Sequence, residues 1–169
     1  MTARNPAPYP CIWCKDSVEE PARFYRSVFE GAREVDGMTM PDLQGGEGPP
    51  AAYETGDAMT VVLDLNGTRV MLLNGGGHDF PFNESMSLVL DCADQAEVDY
   101  YWDALLAGGG QESQCGWLKD RFGVNWQVSP IRLTELMTDP DRQKAGRAMQ
   151  AMLTMKKIDI AAIERAAAG

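Results

Sequence analysis

Four kinds of residue in this chain could carry chemistry: a Cys-x-x-Cys pair, a single histidine, two glycine runs and four tryptophans. Cys11-Ile12-Trp13-Cys14 could in principle hold a soft metal or form a redox disulfide. Zinc needs two further ligands, and a redox pair places its first thiol at a helix N-terminus. Here both cysteines fall on a short apolar run ahead of a helix signal, so they point to opposite sides of a strand. They read as structural thiols, and Cys92 and Cys115 add no ligand spacing. His78 reads either as a surface-loop residue or as a general base or substrate contact. A Ser-His-Asp or Cys-His device is open to it, although no other spacing points there.

The glycine runs Asn74-Gly75-Gly76-Gly77 and Ala107-Gly108-Gly109-Gly110 resemble cofactor loops only superficially. A dinucleotide or S-adenosylmethionine loop runs strand, glycine turn, helix, so that a helix N-terminus meets the ligand. The first run leads into His78-Asp79-Phe80-Pro81 and the second ends a helix, so turn chemistry explains both. Trp13, Trp117 and Trp126 fall on strand segments and Trp102 on a helix, where they read first as core.

The elements that must position these residues repeat. Cys11 to Cys14 is a strand, Ser17 is a predicted N-cap with Glu20 reaching back, and Pro21 falls in the first helical turn. Val18, Ala22, Tyr25 and Phe29 follow at helical spacing, and Gly31 stops the helix. At a constant offset the plan recurs. Leu88-Val89-Leu90 is a strand, Asp94 replaces Ser17 and Glu97 replaces Glu20. Tyr101-Trp102 replaces Phe24-Tyr25, Leu106 replaces Phe29, and Gly108 replaces Gly31. Strand signals follow each helix. The first half has 32–38, then Met59, Val61, Leu63 and Leu65 alternating into the Asn66-Gly67 hairpin turn and 68–73. The second has 116–119 and 124–129 around the turn Asp120-Arg121-Phe122-Gly123. The reading is strand-helix-strand-strand-strand, twice, from an internal duplication. Residues 41–55, rich in Gly and Pro, read as a lid-like loop. After Pro130 the pattern turns helical. A short helix spans 133–137, a second is capped by Asp139-Pro140 and carries Ala145, Ala148, Met149 and Met152, and a last one is capped by Asp159. Met137, Met149, Met152 and Met155 are expected to pack these helices onto the sheet or across a dimer.

A net charge of −10 argues against nucleic acid or an anionic membrane as the main partner. No apolar run approaches the ~20 residues of a membrane span, and the first ten residues hold three prolines and no signal-peptide core. A cytoplasmic location with reduced thiols is the expectation.

Pro10-Cys11-Ile12-Trp13 with Glu19-Glu20 and Phe24-Tyr25, Leu73-Asn74-Gly75-Gly76, Phe82-Asn83-Glu84, Cys115-Gly116-Trp117-Leu118-Lys119-Asp120, Gly123-Val124-Asn125-Trp126-Gln127 and Met149 to Asp159 occur in order. Together they resemble the PhnB-like family, whose domain carries the label 3-demethylubiquinone-9 3-methyltransferase, within the vicinal oxygen chelate superfamily. The resemblance implies an α+β fold of two βαβββ modules, with halves at about 7–75 and 84–130 of a domain 1–130 and a helical extension over 131–169. It also implies a homodimer binding a small-molecule ligand. Trp13, Ser85, Asn125 and Gln127 would line the pocket, with Asn74 and His78 near its mouth. Alternation puts Asn125 and Gln127 on one face of the last strand and Trp126 on the other. Metal-dependent members open the first strand of each half with His or Gln and end on a Glu. The matching positions here are Tyr9 or Pro10, Ser85 on the fifth strand, and Gln127, while 68–73 offers only Arg69 as a charge. Arg69 repels a cation, and neutral Ser and Gln oxygens beside a Tyr cannot offset dehydration of a divalent transition metal, so neither metal nor resident cofactor is expected. The implied function is ligand binding in a metal-free pocket, with a 3-demethylubiquinone-type methyltransferase or a non-catalytic sequestering protein as alternatives.

Overall fold

The computed structural model describes residues 7–41, 54 and 56–169. The centre of the lid-like loop, 42–53 and 55, lies outside the described residues. The chain divides into two compact units, residues 1–80 and 81–169.

In the first unit, β1 (Cys11–Cys14) runs parallel to β4 (Thr68–Asn74). Antiparallel pairing continues through β3 (Ala58–Leu65) to β2 (Arg33–Thr39), giving the order β1-β4-β3-β2. Asn66 (φ 52°) and Gly67 (φ 97°) both adopt left-handed backbone, so Leu65 and Thr68 pair across the two-residue hairpin turn. Paired residues share a face, which puts Ile12, Leu72, Val61 and Leu63 together under α1 (Glu19–Val28). Val18, Ala22, Tyr25 and Phe29 are buried, as their spacing requires. The helix starts one residue later than the predicted cap: Val18 holds the N-cap position. The Ser17 hydroxyl meets Glu19 rather than serving an N-cap, accepting from its N–H at 3.3 Å and donating to its carboxylate at 2.6 Å. Edge strand β2 is exposed along its length, charged at Arg33, Glu34 and Asp36, and interrupted by two register shifts. Charge and bulges blunt an edge against pairing with other chains.

The second unit repeats the topology. β5 (Leu88–Cys92) lies parallel to β8 (Asn125–Pro130), followed by β7 (Trp117–Lys119) and the two-residue β6 (Gln111–Glu112). Between β5 and β6, α2 (Gln95–Leu106) is capped by Asp94, whose carboxylate accepts from Glu97 N–H at 3.0 Å. The Glu97 carboxylate returns to Ala93 N–H at 2.7 Å, a reciprocal pair of bonds that stabilises a helix start by about 1 kcal/mol. Trp102, at the position matching Tyr25, is fully enclosed. The two sheets have the same strand order, as the duplication requires, while of the two matching helices α2 has the predicted side-chain cap and α1 does not.

Three helices follow: α3 (Ile131–Met137), α4 (Arg142–Met152) and α5 (Ile160–Ala168). They share a cluster of Leu133, Leu136, Ala148, Ile158, Ile163 and Ala167, against which Met137, Met152 and Met155 pack. Met149 is exposed instead. The cap of α4 also differs from expectation. Asp141, not Asp139, accepts from Gln143 and Lys144 N–H, while Asp139 bonds Asp141 N–H and pairs with Lys144 at 2.6 Å. Asp159 caps α5 through Ala162 N–H as predicted. The whole is α+β: two βαβββ modules and a helical C-terminal part. Among the described residues no helix is long and apolar enough to cross a membrane.

Candidate functional site

Each sheet has one face covered by its helix and one face away from it. In the first unit the face away from α1 carries Cys11, Trp13, Met71, Leu73 and the buried Thr60. Trp13, Leu73, Thr60 and Met38 form one row across all four strands. The Trp13 indole N–H donates to the His78 carbonyl at 2.9 Å, and its ring meets Phe80 edge-on at 5.0 Å. The loop after β4 is thereby tied down on the indole. His78 is exposed on that loop. Asn74 is buried, with its amide donating to the Ala58 carbonyl at 3.3 Å and its oxygen accepting from Gly76 N–H at 3.1 Å. The neighbouring amides are used internally: Gly75 N–H bonds Cys14 O, Gly77 N–H bonds Lys15 O, and His78 N–H bonds Gly75 O. A glycine run whose N–H groups are spent in this way offers no phosphate cradle.

In the second unit the uncovered face carries Val89, Gln127 and Trp117 in one row, and Asn125, Lys119 and Gln111 in the next. Trp126 points to the helix side, where its indole donates to the buried Asp120 carboxylate at 2.9 Å. Asp120 also accepts from Phe122 and Val124 N–H, and so organises the turn between β7 and β8. Gln127 donates to the Ser87 hydroxyl at 2.8 Å, a bond that uses neither the Gln127 side-chain oxygen nor the Ser87 proton. Asn125 is almost fully buried and bonds the Asn83 carbonyl at 2.7 Å. Ser85 lies in a turn before β5, not on it, because Asn83 captures both its N–H and its hydroxyl. The strand-side hydroxyl beside Gln127 is therefore Ser87. A cleft of about 160 Å³ opens beside this face at the short β6 edge, lined by Glu84, Gln111, Glu112, Ser113, Trp117, Leu118, Lys119 and Asn125. Lys119 pairs with Glu84 at 2.6 Å, and its hydrogen bond holds the Glu84 carboxyl below the usual range.

The structure thus groups Asn125 and Gln127 on one face, with Ser87 beside Gln127, and puts Trp13 on the uncovered face of the other sheet. Sequence reasoning missed Trp117 as a member of the Gln127 row. Its place follows from the register of β7 against β8 across their turn, Trp117 pairing with Gln127. Among the described residues no three His, Cys, Asp or Glu side chains come together as a metal would require. Cys11 is exposed and Cys14 buried on opposite faces of β1.

Paired βαβββ modules, each with a parallel outer pair, define a vicinal oxygen chelate type of fold. The family model described as 3-demethylubiquinone-9 3-methyltransferase matches residues 7–129, and the chain belongs to that PhnB-like family. A PhnB protein from Bacillus cereus is similar at 25% identity and TM-score 0.60, covering 73% of this chain and 98% of its own. Protein PA1353 from Pseudomonas aeruginosa aligns at 18% identity and TM-score 0.55 over 70% of this chain and 92% of its own. The fosfomycin resistance protein FosX from Mesorhizobium loti aligns at 14% identity and TM-score 0.50 over 81% and 100%. The last two share the fold alone. No curated protein matches the chain in sequence.

Proposed function

We propose that this protein binds a small organic molecule on the face of the second unit's sheet that lies away from α2, without a resident metal, as a homodimer. The observation that carries the reading is the row Val89–Gln127–Trp117 with Ser87 beside it. An indole platform next to a neutral donor–acceptor pair suits a ligand with a flat apolar body and one uncharged polar edge. Charged groups nearby are already paired, as Lys119 is with Glu84. The position where metal-dependent relatives carry a carboxylate holds Gln127, whose amide binds a transition metal poorly. A neutral set whose nearest charged couple, Lys119 and Glu84, is closed in an ion pair supports capture of the ligand more than chemistry upon it.

The family description favours a second reading, methyl transfer from S-adenosylmethionine. Against it, the Gly75–Gly77 amides are spent within the loop and Gly108–Gly110 closes α2.

A thermal-shift screen in EDTA with quinone analogues, glutathione adducts, antibiotics, benzamide and S-adenosylmethionine tests the proposal. Neutral aromatic compounds should raise the melting temperature, and Gln127→Ala should abolish the gain. Stabilisation by S-adenosylmethionine alone would install the second reading; stabilisation that requires added Zn²⁺, Ni²⁺ or Mn²⁺ would overturn the first. Light scattering should give near twice 18.5 kDa, and a monomer at micromolar concentration would contradict the dimer.

A further inference from the structure

The C-terminal helices begin just beyond residues 7–129, the span of the family match, yet one stretch between them holds the loop that borders the cleft. Residues 155–158, which join α4 to α5, run beside the 113–116 loop. Cys115 N–H donates to the Met155 carbonyl and Gly116 N–H to the Lys156 carbonyl, both at 2.7 Å. These two loop residues hold left-handed backbone, φ 59° and 83°, which costs a cysteine strain that only surrounding structure can maintain. At Gly116 the approach leaves no room for a side chain, since a Cβ would stand 2.8 Å from Val128 O and 3.3 Å from Ile158 Cγ1. Lys156 Nζ meets Glu112 Oε2 at 3.1 Å, and the other Glu112 oxygen accepts from the Trp102 indole at 3.4 Å. The stretch is anchored to α2 as well. Lys157 pairs with Asp99 at 2.9 Å, and the Gln95 amide bonds both Ile158 O and Ile160 N–H.

Glu112 and Ser113 are walls of the cleft, and Trp117 follows the loop directly. We infer that residues 155–158 position the cleft wall, with Lys156 as the positioning residue that fixes Glu112 and, through the two carbonyls beside it, the loop leading to Trp117. Without the Lys156 side chain Glu112 loses its counter-charge and the stretch is held to the loop by the two main-chain bonds alone; those bonds then open more often, and the loop can leave its strained backbone and Trp117 its orientation. The inference rests on the proposed function only for the claim that a ligand occupies this face.

The test uses the full chain with Lys156→Met, Lys156→Arg and Glu112→Gln, and Lys144→Met as a control ion pair elsewhere in the extension. Amide and indole signals are followed by NMR, with benzamide as the probe ligand. Lys156→Met and Glu112→Gln should shift the Trp102 indole signal, speed exchange at Cys115 and Gly116 about tenfold, and weaken benzamide about fivefold. Lys156→Arg should restore all three, and Lys144→Met should change none. Unaltered exchange in Lys156→Met, or equal changes in Lys144→Met, would overturn the inference. Failure of benzamide to bind the wild-type chain would count against the proposed function, while the exchange and indole signals would still decide this one.

Discussion

Gly75 lies so close to Trp13 that a Cβ at position 75 would stand 2.1 Å from the indole Nε1 and 2.8 Å from the Cys14 carbonyl. The backbone oxygen cannot retreat cheaply, and the indole is held by the His78 carbonyl. Gly75→Ala should therefore destabilise by about 2 kcal/mol or more, in the range of overpacked sites, and release the 75–80 loop. Chemical denaturation with amide exchange checks it; an alanine variant of wild-type stability would show that the indole is not fixed.

Gln127 and Asn125 share a face but should respond differently to truncation. Asn125 is 3% exposed and bonds the Asn83 carbonyl, so Asn125→Ala should lower stability by about 1–3 kcal/mol. Gln127 is half-buried beside Ser87. Gln127→Ala should leave the melting temperature nearly unchanged and reduce probe binding. Thermal melts and titrations on the two variants separate these outcomes.

Asp120 is buried and accepts from two turn amides and the Trp126 indole. Asp120→Ala leaves those donors without their acceptor and should cost about 3 kcal/mol, by the usual penalty for orphaned buried groups. Urea unfolding measures it directly.

Acid should loosen the C-terminal anchor. Hydrogen bonding from Lys156 holds the Glu112 carboxyl below its ordinary value, and from Lys157 that of Asp99. Carboxyls depressed in the fold stabilise it above their unfolded pKa, about 4, and that contribution disappears as pH falls through the folded values. Amide protection at Cys115 and Gly116, corrected for intrinsic exchange, should fall below about pH 4 while the 75–80 loop keeps its own.

Cysteine labelling should be uneven. Burial, with Glu97, Asp91 and Asp94 adding to it, pushes the Cys92 thiol up to about 12. Iodoacetamide at pH 8 should modify exposed Cys11 first and spare Cys92 and Cys14 until the protein unfolds. Peptide mass mapping of a time course reads the order.

The local codes written into single residues were legible in advance: the Asn66-Gly67 turn, the Asp94 and Asp159 caps, and the alternation of Asn125, Trp126 and Gln127. What escaped were choices between neighbours of equal chemistry. Asp139 and Asp141 are both competent caps, and the winner is decided by Lys144, which draws Asp139 into an ion pair. Ser85 and Ser87 lie on the same strand parity, and only the Asn83 side chain decides which belongs to a turn. The place of Trp117 depends on register against Gln127, a relation between strands that no single segment carries. The grip of residues 155–158 on a distant loop through main-chain carbonyls has no side-chain signature at all.

The parallel outer pair of each sheet sets an order of assembly. The β3–β4 hairpin closes through two residues and can form within microseconds of being made. β1 finds its partner only when Met71 to Asn74 have emerged, so it must wait unpaired while α1, β2 and β3 are made. The second module repeats the delay, with β5 waiting for β8. A ribosome-bound chain therefore carries two successive unseated apolar strands, and a pause after residue 65 should expose Cys11 to Cys14 longest.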